Sequence, residues 1–184
     1  MNILIVIDMQ NAVFQTSRYQ KDAVVGRINQ LIDAAERTLF ILHVDEAMQP
    51  GSEGWQLLPE LHRPKNAIYI NKTACDAFYR TELAATLEQL GGHHFTVCGC
   101  ATDYCVDATI KNAASRGYAQ TVAADAHTTA DRRAVSAAQL IAQHNEVWAD
   151  FIIPGNRLWV KETQRILQEW DVKTGDSESS LPAV

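Results

Sequence analysis

Short apolar runs alternate with amphipathic stretches along most of the chain. "ILIVID" (3–8) is an unbroken apolar run, largely β-branched, ending in an acid, which predicts a strand buried on both faces. "DAVVGRINQLIDAAERT" (22–38) instead places Val24, Val25, Ile28, Leu31, Ile32 and Ala35 at helical period. Further strands are predicted at "LFILHV" (39–44), "AIYINK" (67–72), "HFTVCG" (94–99) and "QTVAADA" (120–126), and "EVWADFI" (146–152) reads as one more. Helices are predicted near 80–90, 103–116 and 131–144, with glycines 91, 92 and 117 closing the first two. "LWVKETQRILQEW" (158–170) reads as a last amphipathic helix.

Repeated strand–helix–strand units imply a parallel sheet with helices on both faces, a three-layer α/β/α domain over residues 1–170. The remainder, "DVKTGDSESSLPAV" (171–184), is polar and contains proline, so it is expected to be a tail outside the domain, disordered or draped on a partner subunit. The long connection at 45–66 is expected to form a lid or rim.

In such a sheet, ligands bind beyond the carboxyl ends of the strands, where the strand order reverses. Asp8 ends the first strand, Lys72 ends the third, and "GCATDYC" (99–105) follows the fourth. Three segments thus deliver an acid, an ammonium and a thiol to one rim.

Composition narrows the functions open to the chain. With 47% hydrophobic residues it is ordinary for a globular domain, and a net charge of −6 without any basic run disfavours nucleic-acid binding. No apolar run is long enough to span a bilayer, and "MNILIVID" lacks the basic segment of a signal peptide, so a cytoplasmic protein with reduced thiols is expected. All four cysteines fall between residues 75 and 105, unlike a disulfide framework, and none forms a C-x-x-C pair. Cys98 and Cys100 alternate along a strand and read as buried, inert thiols, and Cys75 reads as structural.

Cys105 leaves two readings. It is either an apolar filler on a helix face or a nucleophile, and its place favours the latter. If Thr102 caps the helix, Cys105 lies in the first turn, where unpaired N–H groups would stabilise a thiolate and lower its pKa. Asp8 then serves as general base, or else only bonds the following loop; Lys72, behind "AIYI", needs an anionic partner if buried. His43 with Asp45 is too sparse for a metal site, and His127 either lines the pocket or bonds a turn.

Together, "IVIDMQNAVF", "INKTACDAF" and "VCGCATDYCVDATIKNAASRGY" resemble the isochorismatase-like cysteine hydrolases, which include nicotinamidases and N-carbamoylsarcosine amidohydrolases. The resemblance spans roughly residues 3–145. It implies a six-stranded sheet of order 3-2-1-4-5-6, a catalytic triad of Asp8, Lys72 and Cys105, and a cis peptide between Cys100 and Ala101. It further implies an oxyanion hole from the backbone N–H groups of Ala101 and Cys105, and assembly as a homodimer or homotetramer, for which Trp159 and Trp170 are candidate contacts. Lys72 has the farthest to reach, past the end of the second strand.

Metal-binding nicotinamidases carry an Asp-x-His pair with further histidines after the second strand. "HVDEAMQPGSEGWQLLPELH" keeps His43, Asp45 and His62 without that pattern, so neither metal nor cofactor is expected. Isochorismatases proper cleave a vinyl ether without needing the cysteine, so retention of Cys105 points to acyl chemistry on a small amide or ureido substrate. Phe14, Trp55, Phe78 and Tyr104 are candidate substrate-binding walls. Two alternatives stand beside this reading: a metal-assisted nicotinamidase, and a non-catalytic redox sensor pairing Cys105 with Cys98 or Cys100.

Overall fold

The computed structural model describes residues 1–178. Six parallel strands form one sheet: β1 (Ile3–Ile7), β2 (Arg37–His43), β3 (Ile68–Lys72), β4 (His94–Cys100), β5 (Ala119–Thr128) and β6 (Leu158–Lys161). Their order is β3-β2-β1-β4-β5-β6, the one the resemblance implied. Five helices connect or follow them: α1 (Lys21–Ala34), α2 (Leu83–Gln89), α3 (Asp107–Ser115), α4 (Ala137–Ala149) and α5 (Thr163–Glu178).

The two-residue period of β1 divides the core. Ile3, Ile5 and Ile7 face a cluster holding Leu83 and Leu87 of α2, Ile110 of α3 and Trp148 of α4. Leu4 and Val6 face the opposite cluster, with Val24, Ile28 and Leu31 of α1 and Ile166 of α5. Both sheet faces are therefore covered, which is why "ILIVI" carries no polar residue.

Two predicted boundaries are corrected. Residues 146–152 are not a strand: α4 runs to Ala149, begun by a capping box in which Ser136 and Gln139 bond each other's backbone. Trp148 lies on the buried face of that helix and donates from Nε1 to Asp107 Oδ1 at 2.8 Å. The sixth strand is instead "LWVK" (158–161), a run too short for its period to separate it from the helix behind it. Helix α5 starts at Thr163, whose N–H and hydroxyl both donate to Asp125 Oδ1, at 2.8 and 2.7 Å. It continues to Glu178, into the expected tail; residues 179–184 lie outside the described residues. None of the described helices is long and apolar enough to cross a membrane.

The sheet order reverses between β1 and β4, opening a crevice at their carboxyl ends. Gly99 allows these strands to meet there. Its φ is +124°, and a Cβ would collide with the Ile7 backbone. The β4–β5 register shifts at the same point, between Val97 and Gly99.

Candidate active site

Asp8 follows β1 with a left-handed φ of 50°, its N–H bonded to Ile41 O at 3.0 Å. That turn takes it out of the strand's alternation, and its side chain enters the crevice, 3% exposed. Lys72 ends the edge strand β3, directly across from His43 on β2. Its stem crosses the end of β2, so the ammonium reaches Asp8 Oδ2 at 2.9 Å with Lys72 only 2% exposed.

The ammonium has three protons and four near neighbours. Besides Asp8, it donates to His43 Nδ1 at 2.8 Å, Ala74 O at 3.0 Å and Cys105 Sγ at 3.3 Å. Asp8, His43 and Cys105 bring their donor atoms within 4.8 Å of one another, close enough to hold a metal ion. The Lys72 Nζ distances show that this cluster surrounds the lysine's own positive charge. The buried carboxylate and ammonium offset each other's desolvation: burial, the largest single influence, lowers the Lys72 pKa, but Asp8 and Cys105 together outweigh it and the net direction is up. Oδ1 of Asp8 is also buried and has no hydrogen-bond partner, which leaves a lone pair for an incoming proton.

Cys105 enters from a π-helical turn, Thr102–Val106, that follows a cis peptide between Cys100 and Ala101. Ala101 O accepts from Tyr104 N–H at 3.1 Å and from Val106 N–H at 3.2 Å. Thr102 does not cap this turn. Its side chain is 2.7 Å from His127 Nδ1, and His127 Nε2 is 2.8 Å from Asn145 Oδ1. Asn145 donates its amide to Ala124 O, so Oδ1 must accept, and His127 is the Nε2–H tautomer taking the Thr102 proton at Nδ1. His127 is thus the turn-bonding histidine rather than a pocket wall.

The electrostatics correct one expectation. Burial, reinforced by the Asp8 charge, pushes the Cys105 thiol up, and these outweigh Lys72. The resting group is a thiol, because a partly buried sulfur facing a carboxylate gains less from a helix start than it loses in hydration. Burial and then Lys72 lower the pKa of His43, consistent with a neutral ring accepting from the ammonium.

Above these groups lies a cleft of about 260 Å³. Asp8, His43 and Cys105 line it together with Arg18, Tyr104 and Arg132.

The isochorismatase domain family matches residues 2–148. The chain belongs to the isochorismatase family. A streptothricin hydrolase from Streptomyces noursei is 30% identical over 138 residues, covering 70% of this chain and 50% of that protein, so the chain spans half the length of that relative. The crystal structure of an isochorismatase from Pseudomonas putida superposes with a TM-score of 0.80 at 28% identity, covering 89% of both chains. A cysteine hydrolase from Pseudomonas syringae shares the fold, with a TM-score of 0.85 at 18% identity over 93% of this chain and 92% of that one.

In this isochorismatase-family chain, three of the four proposed aromatic walls lie elsewhere. Phe78 is buried in the core and stacks on Tyr118 with centroids 5.4 Å apart. Phe14 and Trp55 pack against the α1-side cluster, and Trp55 donates to Asn71 Oδ1 at 3.0 Å. Tyr104 does line the cleft, stacked under the Arg132 guanidinium at 4.7 Å. Cys75 is corrected too: it is exposed and borders the cleft. Cys98 and Cys100 are fully buried as expected, with burial raising both thiols, that of Cys100 to about 12. Trp159 lies on β6, not in the last helix, and Trp170 is packed against the α1-side core.

Two residues gained their roles only from the structure. His43 faces Lys72, and Gln10 ties His43 to the long loop. Its amide donates to His43 O and Trp55 O, both at 3.0 Å, and accepts from His43 N–H at 2.8 Å. Leu57, Leu58 and Leu61 bury that loop against the sheet, so it forms a packed rim.

Proposed function

We propose that the protein is a cysteine hydrolase that cleaves the C–N bond of a small amide or ureido substrate through a thioester acyl-enzyme. The observation that carries this reading is the meeting of Cys105 Sγ, the Lys72 ammonium and Asp8 under one small cleft, with Asp8 Oδ1 unpartnered. The streptothricin hydrolase relative supports hydrolytic chemistry for the family domain.

With the thiol neutral at rest, the first proton transfer belongs to the reaction itself. Asp8 takes the Cys105 proton as sulfur bonds to the substrate carbonyl carbon, and Lys72, 3.3 Å from sulfur, offsets the charge that develops. The carbonyl oxygen becomes an oxyanion held by the N–H groups of Ala101 and Cys105. The C–N bond then breaks, and Asp8 returns its proton to the leaving nitrogen. Water, deprotonated by Asp8, attacks the thioester; the C–S bond breaks, releasing the acid and restoring the thiol. Lys72 pairs with the Asp8 carboxylate between turnovers, at 2.9 Å, which offsets the cost of burying the ammonium.

The test is an ammonia-release screen over small carboxamides and ureido compounds with wild type and Cys105→Ala. Release by wild type that is lost in the variant supports the reading, and release at the wild-type rate in the variant excludes it.

A further inference from the structure

The charges around the cleft do not cancel. Lys72 is balanced by Asp8. Arg132 is balanced by Asp103, which accepts from Nε at 2.8 Å and from Nη2 at 3.1 Å, and Nη2 also donates to Thr129 Oγ1 at 3.0 Å. Arg18 differs. Its Nε donates to Val13 O at 2.9 Å, which holds the side chain against the cleft, and among the described residues its two terminal nitrogens have no acceptor and no carboxylate partner. One uncompensated positive charge therefore lines the cleft of a chain whose net charge is −6.

The bond to Val13 occupies the Nε side of the guanidinium and leaves its outer edge free, the edge that matches a planar carboxylate. At about 260 Å³ the cleft falls just below the roughly 300–1,000 Å³ of drug-sized sites, so the bound molecule is small. Building on the cysteine-hydrolase reading above, we infer that the substrate is a small monoanion, an amide bearing one carboxylate, and that Arg18 holds the carboxylate while the amide carbon meets Cys105. A neutral amide of the same length leaves the guanidinium unpaired, and a cationic one is repelled.

Iodoacetate and iodoacetamide, similar in size and different in charge, report this without a known substrate. Their alkylation rates at Cys105 are read by peptide mass spectrometry, which separates it from Cys75. Replacing Arg18 by Gln is expected to slow iodoacetate at Cys105 about tenfold, the low end for a lost charge-assisted bond, and to leave iodoacetamide within about twofold. Arg18→Lys, which keeps the charge but not the fork, should fall between. In the wild type, succinamate should protect Cys105 from iodoacetamide at a concentration about tenfold below that needed of butanamide. Unchanged iodoacetate rates in Arg18→Gln, or equal protection by the two amides, would overturn the inference. Because labelling needs no turnover, that outcome leaves the hydrolase reading intact. Amide hydrolysis surviving in Cys105→Ala instead removes the acyl-enzyme reading and with it the placement of the amide carbon at Cys105, while the labelling and protection results still report whether Arg18 holds a carboxylate.

Discussion

Nζ of Lys72 and Nδ1 of His43 lie 2.8 Å apart, and the two residues face each other in register across β3 and β2. A neutral imidazole accepts from the ammonium and aims it at Asp8 and Cys105. A protonated one would place two cations in contact and push the ammonium aside.

The first expectation concerns this pair. Burial and Lys72 lower the His43 pKa from 6.5, so its protonation, and the loss of activity it causes, belongs below that pH. Substituting Gln at position 43 supplies an acceptor that does not titrate. The acid limb of the kcat/KM profile should then move to lower pH, and an unchanged limb would deny His43 this part.

Cys105 alkylation carries the second. Because burial and the Asp8 charge raise its thiol above the usual 9.0, the rate with iodoacetamide should show no plateau as pH rises to 9.0. A thiolate stabilised at a helix start would instead react at a rate already level near neutrality. Peptide-resolved labelling across that pH range distinguishes the two.

Separating Asp8 from Lys72 tests their mutual dependence. Asp8→Asn or Lys72→Met alone strands a buried charge and should destabilise by about 3–5 kcal/mol, whereas the double variant should lose less than either single one. Urea unfolding measures this. Additive losses would mean that the two charges do not need each other.

The architecture was readable from the chain because both faces of its central strands are buried. An unbroken apolar run such as Ile3–Ile7 admits few other interpretations. Asp8, Lys72 and Cys105 were readable for a related reason: each is a polar group that ends or follows such a run. His43 was not, since its significance depends on the β2–β3 register, which period does not encode. Neither was the neutral thiol, because the burial of Cys105 comes from segments distant in sequence. Three of the four aromatic walls failed on orientation: Phe78 follows Lys72 by only six residues, yet its ring turns into the core beside Tyr118.

His127 makes the fold acid-sensitive. Burial first, and the neighbouring His144 as a smaller contributor, bring its pKa from 6.5 down to about 4. Between those values the unfolded chain binds a proton that the folded chain refuses. Stability is therefore full above about pH 6.5 and declines as pH falls towards 4, by about 3 kcal/mol at about 1.4 kcal/mol per unit. Thermal unfolding of wild type and His127→Gln across this window checks it: the variant should be less stable at pH 7 and flatter below.

The acyl-enzyme itself is tested most directly by hydroxylamine partitioning during turnover of an amide found in the ammonia screen. A thioester on Cys105 predicts that hydroxamate accumulates at the expense of acid as hydroxylamine rises, with an acyl-sized mass increase on the Cys105 peptide after acid quench. Release of free acid alone at every hydroxylamine concentration, with the Cys105 peptide unmodified, would contradict covalent catalysis by this sulfur.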